Sequence, residues 1–147
     1  MELGLKLAIF DVSDVKRPVE KHVEIIGGAG TNSEVLHNHK ALMFKDGLMA
    51  FPLTVVESRN PQANGSFDFQ GAYVYRVDVQ KGFDFLGGIT HLEETSEFYD
   101  KPGIYEKHVE RVFYIEGIMY TVSRKYIMAN RLEGLRQVGL LKLPMSN

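Results

Sequence analysis

His37-Asn38-His39, with Glu34 upstream and Lys40 directly after, is the sharpest polar constellation in the chain. Alternating residues of a strand share one face, so two imidazoles spaced this way can grip Zn²⁺ or a related metal, with Glu34 as a third ligand. A plainer duty fits the same residues. A histidine just before the first strand of a β unit can hydrogen-bond a hydroxyl on the second strand, here Thr54, and so tie the unit together. His91 and His108 sit near connectors and can join either scheme. The structural duty is the expectation, with Glu34, His37, His39, Lys40 and His91 as candidate binding residues. No catalytic residue is assigned, and neither Zn²⁺ nor Ca²⁺ is expected as a cofactor.

Other residues with chemical capacity read more simply. Glu93-Glu94, or Asp11 with Asp14, can serve acid–base hydrolysis only if the carboxylates face each other across a cleft. Asp11 and Asp14 fit better as caps of the turn after a strand, bonding local amides. Ca²⁺ binding around Asp11–Asp14 lacks the twelve-residue loop with a terminal Glu. Gly27–Gly30 lacks the spacing and the following helix of a phosphate cradle, and no serine sits in a G-x-S-x-G elbow. Tyr73, Tyr75, Tyr105, Tyr114, Tyr120 and Tyr126 can line a carbohydrate or peptide groove, though filling between sheets with a polar tip at the rim is the commoner use. Asn64-Gly65-Ser66 matches a glycosylation acceptor, and a turn accounts for it equally well.

The elements that must position these groups are short and repeated. Leu42–Leu53 and Val112–Ser123 share one grammar: an apolar run, an acid-Gly pair (Asp46-Gly47, Glu116-Gly117), and a second apolar run. Such a pair between β-rich runs is a tight hairpin turn, because Gly accepts positive φ without steric cost. An offset of 70 sets Leu42 on Val112, Asp46 on Glu116, Gly47 on Gly117 and Met49 on Met119. An offset of 67 sets Leu7 on Val74, Asp11 on Asp78 and Val12 on Val79, so the opening strands match the third and fourth strands of a later unit.

Ten strands follow: Leu5–Val12, Val19–Ile26, Lys40–Phe44, Leu48–Val56, Ala72–Val79, Phe83–Thr90, the two halves of the second hairpin, Tyr126–Arg131 and Leu135–Lys142. Runs of about six residues, rich in Val, Ile, Tyr and Phe and cut by Gly, are too short for stable helices. A helical turn is allowed near Glu93–Tyr99. Runs apolar at nearly every position, such as Leu48–Phe51, imply sheets covered on both faces. Repetition of that unit predicts an all-β fold, a partial β-propeller of about two and a half four-stranded antiparallel blades. One domain over 1–147 would hold a half blade at 5–30, a full blade at 39–91 with a loop insertion at 57–70, and a full blade at 108–143. A β-sandwich is the rival arrangement.

Composition sets the outer bounds. With 147 residues, 44% apolar and 24% charged, the chain suits one folded domain with its own core. A net charge of −2 argues against nucleic acid, which calls for a basic patch. Zero cysteines exclude disulfides and thiolate chemistry. Leu48–Val56, the longest apolar run, is too short to cross a bilayer, and the opening residues do not read as a signal peptide.

Leu7–Pro18, Ser33–Phe44, Phe69–Val79, Gly88–Leu92 and Tyr114–Ser123 together resemble secreted bacterial and archaeal proteins with a C-terminal β-propeller domain, distantly related to WD-repeat propellers. The resemblance spans about residues 5 to 143. Leu7–Pro18 also resembles a short propeller repeat with the core L-x-I-x-D-V-S-D-P-x-x-P, from which it departs at Val15, where the pattern has Pro. It implies a C-terminal fragment of a longer, extracellular or cell-surface protein, and a non-catalytic binding or scaffold module whose ligand is a protein, peptide or glycan. It also implies that the first two strands lack the hairpin that pairs beside them. An open edge bearing Leu5, Leu7 and Ile9 is then expected to make the chain a homo-oligomer. The alternative is a hydrolase- or lyase-type enzyme with a site in the central funnel built from Glu34, His37, His39 and His91.

Overall fold

The computed structural model describes residues 4–57, 66–93 and 103–144. Ten strands lie in these segments: β1 (Leu5–Asp11), β2 (Val19–Ile26), β3 (Met43–Lys45), β4 (Leu48–Glu57), β5 (Ser66–Asp78), β6 (Gly82–Ile89), β7 (Arg111–Ile115), β8 (Ile118–Val122), β9 (Tyr126–Arg131) and β10 (Gln137–Lys142). They form three antiparallel sheets: β1-β2, then β3-β4-β5-β6, then β7-β8-β9-β10, each four-stranded sheet a meander in chain order. No helix among the described residues is long and apolar enough to cross a membrane. Part of the turn allowed near Glu93–Tyr99 falls outside the described residues.

Local chemistry explains the elements. Asp46 and Gly47 both take positive φ (53° and 76°), and so do Glu116 and Gly117 (48° and 85°). Two consecutive left-handed residues match the right-handed twist of a two-residue hairpin, which joins β3 to β4 and β7 to β8. Asp11 accepts from the Ser13 amide at 2.9 Å after β1, and Asp78 accepts from the Gln80 and Lys81 amides at 2.8 and 2.9 Å after β5. The offset of 67 therefore pairs residues with one duty. β5 begins at Ser66, so the polar excursion suggested over Glu57–Gln70 is narrower than the sequence implies, its last residues pairing with β4.

Strand β4 is buried along most of its length because a sheet lies against each of its faces. Leu48 and Ala50 join Ala72, Val74 and Ile89 against Val109, Val112 and Met119 of the third unit. Met49, Phe51, Leu53 and Val55 join Tyr75 and Ile26 on the opposite face, under Leu5, Leu7 and Val35. Alternation of side chains across the sheet makes this division, and each large apolar side chain removed from water contributes about 1.5–3 kcal/mol. On the first-sheet face the Phe51 and Tyr75 rings lie parallel, with centroids 6.1 Å apart. Gly82, opening β6, lies so close to β2 that a Cβ there would sit 2.8 Å from Nδ1 of His22. The first sheet thus lies across β4, β5 and the start of β6 on this face of the middle sheet.

Candidate functional site

Antiparallel pairing gathers particular loops at one end. The starts of β3, β5, β7 and β9 and the ends of β4, β6 and β8 lie together there, and so do the β2–β3 and β6–β7 connectors. A cleft of about 310 Å³ opens at this end between the middle and third sheets. Asn32, Ser33 and Glu34 line it from the first connector, Thr54 and Gln70 from β4 and β5, Tyr105, His108 and Glu110 from the second connector, and Arg124 from the β8–β9 turn.

The floor is built of polar groups already matched. Ser33 is buried, donates to the Pro52 carbonyl at 2.6 Å and accepts from the Val35 amide at 3.2 Å. Gln70, also buried, accepts from the Val109 amide through Oε1 at 3.1 Å and donates through Nε2 to its carbonyl at 3.4 Å. That two-point clamp joins the middle sheet to the segment leading into β7.

The rim offers groups of mixed character. Tyr105 is exposed, and its ring lies 5.2 Å from that of His108. Burial lowers the His108 pKa against an opposing pull from Glu110, which leaves the imidazole neutral at pH 7 and able both to donate and to accept. The Arg124 guanidinium faces the Glu110 carboxylate at 3.5 Å, and Glu34 is exposed. Together these present a cation, carboxylates, a neutral imidazole and an aromatic face around one opening.

His91 does something different. It is buried, with Nδ1 at 2.8 Å from Ser123 Oγ and Nε2 at 2.8 Å from Thr121 Oγ1. Burial lowers its pKa to about 4, so the ring is neutral and uses both nitrogens on hydroxyls of the third sheet. The tie expected between a connector histidine and a second-strand hydroxyl is therefore present, but it joins His91 to Thr121 and Ser123. Thr54 instead exchanges two backbone hydrogen bonds with Asn32, at 2.9 and 2.7 Å.

The candidate residues from the sequence separate accordingly. His37 and His39 do not alternate on a strand: residues Glu34–Leu36 and His39–Ala41 form short 3₁₀ turns, and β3 begins at Met43 rather than Lys40. Ser33 and Asn38 are the reason, since their side chains accept from the Val35 and Lys40 amides and offer the backbone a turn in place of a ladder. His37, His39 and Lys40 are exposed, and of the five candidates only Glu34 lines the cleft. No three His, Asp or Glu side chains among the described residues converge as a metal site, so Glu34, His37, His39 and His91 do not form one constellation. Tyr105 and His108 were recognisable as groove and connector residues. Gln70, Glu110 and Arg124 carried no local signal, because only the stacking of sheets brings them together.

Meandering four-stranded sheets stacked face to face, with connectors gathered at one end, are the blades of a propeller. A family model described as "Beta propeller domain" matches residues 1–135, and the chain belongs to that family. No curated protein and no solved structure matches the chain.

Proposed function

We propose that the chain is a non-catalytic binding or scaffold module of an exported protein, working at the cell surface or beyond it, and that it holds a protein, peptide or glycan segment in the cleft between the middle and third blades. The observation that carries this reading is the split between floor and rim. Gln70 and Ser33 spend their polar groups on the fold, whereas Tyr105, His108, Arg124 and Glu34 line an open cavity with donors, acceptors and a ring face. A polar ligand with its own hydroxyls or amides suits such a lining, since every group it buries needs a partner. The exported setting rests on the resemblance of Leu7–Pro18 and the later segments to secreted propeller proteins.

Binding of the chain to glycan and peptide arrays, followed by titration of each hit, tests this. Hits weakened at least tenfold by Tyr105→Ala or Arg124→Ala, and unchanged by His37→Ala with His39→Ala, are expected. Hits indifferent to Tyr105 and Arg124, or none at all, would count against the cleft.

A further inference from the structure

The cleft between the middle and third blades sorts its charges unevenly. Arg124 and Glu110 come from the third blade and the segment leading into it, and they face each other at 3.5 Å. Glu34 comes from the connector packed on the middle blade and makes no ion pair among the described residues. Its backbone is held firmly: Asn32 exchanges hydrogen bonds with Thr54, and Ser33 ties the turn to the Pro52 carbonyl of β4 at 2.6 Å. Tyr105 adds a flat ring that leans on His108 at a tilt of 56° and stays 59% exposed. The neutral His108 brings no competing positive charge.

We infer that the cleft takes a basic side chain of a peptide, arginine in preference to lysine, with its cationic head against the Tyr105 ring and the Glu34 carboxylate. This rests on the binding role proposed for the same cleft and narrows its ligand to a cation. The unmatched charge among the lining residues is negative, and the face of an aromatic ring attracts cations as well. A guanidinium answers both, since its plane stacks on a ring while its edge donates two parallel hydrogen bonds to a carboxylate; an ammonium does less. A neutral sugar can stack on Tyr105, but it leaves the Glu34 charge uncompensated as water is displaced. Arg124 points Nε at Glu110, which leaves its terminal nitrogens to donate to a backbone carbonyl of the same peptide. The volume of about 310 Å³ suits one long side chain with a short stretch of backbone.

Fluorescence titration with matched synthetic peptide libraries tests this, one with arginine fixed at the centre among neutral residues and one with citrulline, its uncharged counterpart, in that place. The arginine library should bind about tenfold more tightly, with a lysine library in between. Glu34→Gln keeps the shape of an exposed side chain, and it should weaken the arginine library about threefold while leaving the citrulline library unchanged. Equal affinity for arginine and citrulline, or Glu34→Gln binding both libraries as the native chain does, overturns the inference. If those peptides or a neutral glycan array then still bind through Tyr105, the cleft stands as a binding site and only the charge of its ligand is wrong. Binding indifferent to Tyr105 and Arg124, or no binding by peptides and glycans alike, brings down the inference and the cleft together.

Discussion

The two faces of the middle blade carry the same kind of residue and meet different neighbours. Toward the third blade, Leu48, Ala50, Ala72 and Val74 meet a complete four-stranded sheet, and hydrogen-bonded polar groups cross the junction: Gln70 to Val109, with His91 to Thr121 and Ser123 beside them. Toward the first sheet, Met49, Phe51, Leu53 and Val55 meet only two strands, and an apolar groove of about 160 Å³ remains between Leu5, Leu7, Val35, Leu42 and Phe51. A complete neighbour excludes water well enough to bury a histidine between hydroxyls. A partial one leaves side chains such as Leu36 and Leu42 exposed. Apolar pattern alone therefore makes a strand buriable, and the completeness of the opposing sheet decides what the junction can hold.

The largest effects should come from the apolar layer itself. Phe51→Ala is expected to cost roughly 3–5 kcal/mol, at the lower end if the groove lets neighbours relax into the space, and Met119→Ala about 2–5 kcal/mol. Denaturant midpoints compare the two faces, and a smaller loss at Met119 than at an exposed residue such as Phe113 would break the comparison.

Acid should attack one junction selectively. His91 has a folded pKa of about 4 against an ordinary 6.5, so the unfolded chain binds the proton more readily. Its contribution is whole above pH 6.5 and is lost as pH falls toward 4, a change on the order of 3 kcal/mol. Unfolding curves at pH 8 and pH 4.5 measure this, and His91→Leu combined with Thr121→Val and Ser123→Ala should flatten the dependence. The clamp beside it is smaller: Gln70→Ala leaves the Val109 amide buried without a partner, a loss of about 1–3 kcal/mol.

Much of the fold is legible in the chain. The acid-Gly pairs announce hairpins because left-handed φ is chemically demanding, and the unbroken apolar run of β4 announces two covered faces. Asp11 and Asp78 share a turn duty that the repeat alone reveals. The candidate site is far less legible. His37 and His39 have the spacing of strand neighbours, yet Ser33 and Asn38 beside them prefer to bond their own backbone, and that local competition wins. Gln70 meets Val109 only after β5 and the β6–β7 connector are stacked. No short-range pattern encodes that meeting, and the partner of His91 is likewise set by which blade lies opposite.

Smaller tests sharpen the same contrast. Arg124→Ala should shift stability by no more than about 0.5 kcal/mol, since its pairing with Glu110 lies at an exposed rim. Under the proposed binding role, its effect falls on ligand capture instead. Glu116→Asn should stabilise by a few tenths of a kcal/mol, because Asn tolerates left-handed φ better than Glu at the first hairpin residue.

The most direct measurement is the titration of the His91 ring by nuclear magnetic resonance. A neutral imidazole that protonates only near pH 4, with both nitrogens hydrogen-bonded and shifts that move when Thr121→Val is introduced, is the expected result. Protonation near 6.5, indifferent to Thr121 and Ser123, would mean that the middle and third blades do not close around it.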